Sequence, residues 1–85
     1  MAERAVKVLL RSGLHARPAA LFVQEANKFS SEIFIEKQGK SVNAKSIMGV
    51  MSLAIAAGTD IVIHAEGSDA EAAVDRLAEM VAKEE

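Results

Sequence analysis

The sequence predicts one α+β domain. It is an open-faced β-sandwich in which a four-stranded antiparallel sheet carries three helices on one face, in the order β-α-β-β-α-β-α. Three observations lead there. Four short segments alternate apolar and polar residues. Two longer segments repeat apolar residues at helical spacing, and a third is apolar at nearly every position. The chain is only 85 residues long, which fits a single domain. A fold of this size buries about 60% of its unfolded surface, so its core is thin and leaves little room for an internal active site.

Glu3–Leu10 reads as the first strand, with Val6, Val8 and Leu10 on one side, and Arg11-Ser12-Gly13 breaks it. Ala16–Phe29 reads as a helix whose stripe is Ala19, Phe22, Val23, Ala26 and Phe29; Gln24, Glu25 and Lys28 lie off it. Pro18 falls in its first turn, where a missing N–H costs nothing. Glu32–Lys37 and Lys40–Ala44 read as two strands joined by a tight turn at Gln38-Gly39, with Ile33, Ile35, Val42 and Ala44 inward. Ser46 is a plausible N-cap for a helix running to Ala57 and ended by Gly58. Ile61–Ala65 alternates as the fourth strand. Ser68-Asp69-Ala70-Glu71 has the form of a capping box, and Ala70, Ala73, Val74, Leu77, Met80 and Val81 make one face of the helix that follows.

Composition excludes several functions. There is no Cys, so no disulfide, thiol nucleophile or thiolate zinc site. With two His, no metal is expected, and no motif calls for a cofactor. The only aromatics are three Phe, which argues against a base-stacking nucleic-acid surface. Ile47–Ala57, the longest mostly apolar stretch, is too short for a bilayer span of about 20 residues. The N-terminus reaches polar residues too early for a signal peptide, so the expectation is a cytoplasmic protein without membrane insertion. The net charge of −2 conceals an asymmetry: residues 1–45 hold eight basic and four acidic side chains, residues 46–85 two and eight. The basic half suits an acidic partner or a phosphate.

Ser12-Gly13-Leu14-His15-Ala16-Arg17-Pro18 is the segment with chemical potential. A strand ends, a Gly permits an unusual turn, and a helix begins at His15. The first amides of a helix have no helical partner and carry partial positive charge, which suits an anion. A neutral imidazole has one ring nitrogen with a free lone pair and can act as a nucleophile. A phosphoryl group on that nitrogen would meet the amides around Ala16 and the guanidinium of Arg17. The implied chemistry is reversible phosphoryl transfer, with His15 carrying the group and other proteins catalysing its gain and loss. His64 alternates out of phase with the core face and reads as an ordinary solvent-side residue. At Ser46, a phosphate would be favoured by the helix dipole and by Lys45. The helix behind it is apolar almost all round, so Ile47, Met48 and Met51 are expected in part on a partner surface.

Gly13-Leu14-His15-Ala16-Arg17-Pro18-Ala19 and Lys45-Ser46-Ile47-Met48-Gly49-Val50-Met51-Ser52-Leu53 together resemble the two signatures of the HPr family, the histidine-containing phosphocarriers of the bacterial sugar phosphotransferase system. The resemblance spans the whole chain. It implies that His15 is phosphorylated by enzyme I and passes the group to IIA domains of sugar permeases. It implies that Arg17 steadies the phosphoryl group and Pro18 starts the helix. Ser46 matches the serine modified by HPr kinase/phosphorylase, whose product binds the catabolite control repressor. Leu14, Ile47, Met48 and Met51 match the family's apolar partner surface. The runs Pro18–Lys28 and Val42–Lys45 are similar to the catabolite-repression subgroup, Crh, whose best-known members have Gln at the position of His15; this chain keeps His.

Overall fold

The structure is a computed structural model that describes residues 1–11 and 13–83. Ser12, part of the expected break after the first strand, lies outside them. The elements run β1 (Ala2–Lys7), α1 (Ala16–Ala26), β2 (Glu32–Lys37), β3 (Lys40–Asn43), α2 (Ile47–Ser52), β4 (Asp60–Glu66) and α3 (Ala70–Val81). All strands form one antiparallel sheet in the order β1-β4-β2-β3, so β4 is central and pairs with both β1 and β2. This is the expected four-stranded open-faced fold. Ile33, Ile35, Ile61 and Ile63 point from the sheet into the core. They meet Phe22 of α1, Val50 of α2 and Leu77 of α3, and burying each such large side chain is worth roughly 1.5–3 kcal/mol.

Several boundaries differ from expectation. β1 ends at Lys7 rather than Leu10, although Val8 and Leu10 are buried as expected. Val8 still bonds the Gly58–Thr59 turn through both its backbone groups, while the Leu9 amide turns away to the Val81 carbonyl at the end of α3. α1 ends at Ala26, not Phe29, because the amides of Lys28 and Phe29 bond three residues back and tighten the chain out of the helix. Between β2 and β3, Gln38 and Gly39 both have positive φ, the backbone of a two-residue type I′ hairpin.

The largest correction concerns α2, which has six residues and stops at Ser52 rather than Ala57. Ala54 adopts φ 50°, which a helix cannot continue through, and the chain then extends so that Ile55 enters the core. Gly58 therefore sits in the turn before β4 instead of ending a helix.

At α3 the capping box does not form. The N-cap is Asp69, one residue later than expected, and it makes no side-chain cap. Its carboxylate instead crosses to the α1–β2 loop. There it accepts from the Ser30 amide at 2.9 Å, the Ser31 amide at 3.0 Å and the Ser31 hydroxyl. Three donors outweigh the one or two that a cap offers. The Ser31 hydroxyl, then the Ser30 amide, hold the carboxyl down to about 2 against an ordinary value of about 4. The carboxylate thus binds its proton more weakly folded than unfolded. The stability it adds is complete above pH about 4 and is lost as pH falls towards 2. Denaturant titrations of the wild type from pH 5 to pH 2 will show this slope. Asp69→Asn will be less stable at pH 7 and its slope shallower across that window. Equal slopes would remove Asp69 as the cause.

Candidate active site

His15 is the N-cap of α1, with extended backbone (φ −122°, ψ 153°), and its side chain makes no capping bond. It is exposed, as are Ala16 and Arg17. The Ala19 amide reaches back to the His15 carbonyl at 3.5 Å, and Pro18 has no amide, so the amides of Ala16 and Arg17 are the first-turn donors without a carbonyl inside the helix. Ala16 holds φ 45°, the left-handed region in which L residues are strained. The sequence puts the helix start here because Pro18 sets φ for the first turn and Gly13, at φ 72°, lets the chain reverse before it.

The reversal is held from below. The Leu14 amide donates to the Ile55 carbonyl at 2.9 Å, and Gly13 lies so close to the Ile55–Ala56 backbone that it has no room for a side chain. Leu14 itself is 0% exposed and packs in the core. That corrects its expected place on a partner surface: the turn that lifts His15 outward drives the preceding side chain inward. Ile47, Met48 and Met51 are 44%, 82% and 42% exposed, and Leu21 on α1 joins them among the exposed apolar residues. Val50, on the same short helix, is buried.

Ser46 caps α2 as expected, accepting from the Gly49 amide at 3.1 Å, and is exposed. Lys45 does not stand beside it as a free cation. Its ammonium donates to the Phe29 carbonyl at 2.8 Å, so the side chain expected near a Ser46 phosphate is held on the loop after α1.

His64 faces out of the core as expected but is not an ordinary surface residue. It is half-buried on the open sheet face between two carboxylates, with Nδ1 2.9 Å from Glu3 Oε2 and Nε2 2.8 Å from Glu36 Oε1. Glu3 lies directly opposite it on β1 and Glu36 comes from β2 on the other side. The alternation placed His64 on the right face; only the strand order brings the carboxylates there.

An exposed imidazole at a helix start, two residues before an exposed arginine and followed by two amides that have no carbonyl inside the helix, can take a small anionic group on one ring nitrogen, with donors close in the chain for its oxygens. A surface site of this kind needs no cavity and leaves the group open to a second protein. The family model described as the PTS HPr component phosphorylation site matches residues 2–83. The chain belongs to the HPr family. The HPr-like protein Crh of Halalkalibacterium halodurans is 61% identical to it over 84 residues, covering 99% of this chain and 100% of that protein. The HPr-like protein Crh of Bacillus subtilis is 56% identical over 84 residues, covering 99% of each. The crystal structure of the phosphocarrier protein HPr from Bacillus anthracis superposes with a TM-score of 0.93 at 64% identity, covering 94% of this chain and 95% of that one. The open-faced α+β fold is therefore the HPr fold, in a chain whose body is like Crh. No helix among the described residues is long and apolar enough to cross a membrane.

Proposed function

We propose that this HPr-family protein is a cytoplasmic phosphocarrier of the phosphoenolpyruvate-dependent sugar phosphotransferase system. A ring nitrogen of His15 attacks the phosphorus presented by enzyme I. The new N–P bond forms as the donor's bond to phosphorus breaks, and the donor keeps the electron pair. An IIA domain then takes the group by the same exchange in reverse. One observation carries the reading: His15 stands exposed at the start of α1, its ring uninvolved in capping, with exposed Ala16 and Arg17 next in the chain. The exposed Ile47, Met48 and Met51 would seat both partners. Enzyme I with phosphoenolpyruvate should add one phosphate that is labile in acid and stable in base, and a IIA domain should remove it. A protein left unmodified would sink the reading.

A second reading, a mainly regulatory Crh-type corepressor, is favoured by the names of the two curated relatives. Here HPr kinase/phosphorylase modifies Ser46 and only that form binds the catabolite control repressor. Kinase-treated wild type should then bind the repressor and kinase-treated Ser46→Ala should not; equal binding contradicts it.

The two modifications should oppose each other. A negative charge at Ser46 stands at the edge of the surface offered to enzyme I and weakens its approach. Ser46→Asp should slow His15 phosphorylation about tenfold, a loss of about 1.4 kcal/mol, read as initial rates with enzyme I. Rates equal to wild type would exclude the effect.

A further inference from the structure

We propose that Lys37 is a positioning residue for His15. Its side chain leaves the end of β2 and does not extend into water. The ammonium donates to the carbonyls of Leu53 at 2.8 Å and Ala54 at 3.1 Å. These belong to the C-cap of α2 and the residue after it, where helical carbonyls have no partner within the helix and a cation is favoured. Ala54 stands at φ 50°, a backbone that an L residue keeps only when its surroundings hold it.

The next residue connects this clamp to the site. The Ile55 side chain is fully buried, and its carbonyl receives the Leu14 amide at 2.9 Å. A Cβ on Gly13 would lie 2.3 Å from that same carbonyl oxygen and 2.9 Å from Ala56 Cα, so the whole turn before His15 rests on the Ile55–Ala56 backbone. From the Lys37 ammonium the connection runs through the Ala54 carbonyl and the Ile55 carbonyl to the Leu14 amide. His15 is the next residue. Lys37 touches no reacting atom; it sets where the platform beneath the turn stands. The kinetic arm of the test rests on the phosphocarrier reading, and the exchange arm does not.

Lys37→Met keeps the apolar stem and removes the charge and its donors; Lys37→Arg keeps both. Amide hydrogen exchange of Leu14 should quicken about tenfold in Lys37→Met, the size expected for losing a charged hydrogen bond beneath it. The Ile63 amide in central β4 should change less than about twofold, which separates local loosening from global destabilisation. The kcat for phosphorylation by enzyme I should fall about fivefold, and Lys37→Arg should recover most of both losses. Wild-type protection of Leu14 in Lys37→Met, an equal loss at Ile63, or no recovery in Lys37→Arg would each overturn the proposal. If enzyme I fails to modify even the wild type, the phosphocarrier reading falls, and the Leu14 exchange still decides the role of Lys37.

Discussion

His15→Ala, incubated with enzyme I and phosphoenolpyruvate, takes up no phosphate. The loss is complete because the substitution removes the accepting nitrogen itself. A hydroxyl is a weak nucleophile unless a base activates it, so serine and threonine do not substitute for it. The informative companion is His64→Ala. The two histidines share the same ring but not the same surroundings. His15 is exposed at a helix start, whereas both ring nitrogens of His64 face carboxylate oxygens, from Glu3 and Glu36. An incoming phosphoryl group at His64 would meet negative charge on either side instead of the first amides of a helix. His64→Ala should therefore keep the acid-labile adduct at full stoichiometry. An adduct that survives in His15→Ala, or disappears in His64→Ala, would move the chemistry to the wrong histidine and end the proposed mechanism.

Gly13→Ala should be the most damaging substitution in the turn. Gly13 has φ 72°, which costs an L residue roughly 1–2 kcal/mol. The added Cβ would then stand 2.3 Å from the Ile55 carbonyl oxygen, which is backbone and cannot swing aside. Relief requires moving the Ile55–Ala56 segment, with Ile55 buried in the core, or breaking the Leu14 amide bond to Ile55. Together these should cost roughly 3 kcal/mol or more, a large part of the 5–15 kcal/mol that holds a small domain folded. Thermal unfolding should drop by about 12 °C or more. Gly39→Ala is the control: φ there is also positive, at 82°, but nothing lies within 4 Å of the added atom. It should show the backbone cost alone. A Gly13→Ala protein as stable as Gly39→Ala would mean that the close approach beneath His15 carries no energy.

Where expectation fails furthest, at Asp69 and at Ala54, the failures have one origin. The alternation in Glu32–Lys37 and the stripe Ala19, Phe22, Val23 and Ala26 were legible because each residue's neighbours in sequence already decide which face it joins. The helix start at His15 and the cap at Ser46 were legible for the same reason, since Pro18 and Gly49 act within three residues of them. The local sequence makes Asp69 part of a cap, but its partners, Ser30 and Ser31, lie 39 and 38 residues away. The Ala54 turn leaves no local signal, because what fixes it includes Lys37, 17 residues earlier, and a core place for Ile55.

By itself, then, the sequence determined the elements, their order, the surface character of the His15 turn and the family to which the residues point. Local periodicity, capping and one proline act over a few residues and need no knowledge of the rest of the chain. The tertiary structure decided that β4 is central, that Leu14 is buried beneath His15, that His64 is held between Glu3 and Glu36, and that Lys45 and Lys37 serve backbone carbonyls. Each of these joins residues far apart in the chain, and strand order and core packing alone bring them together.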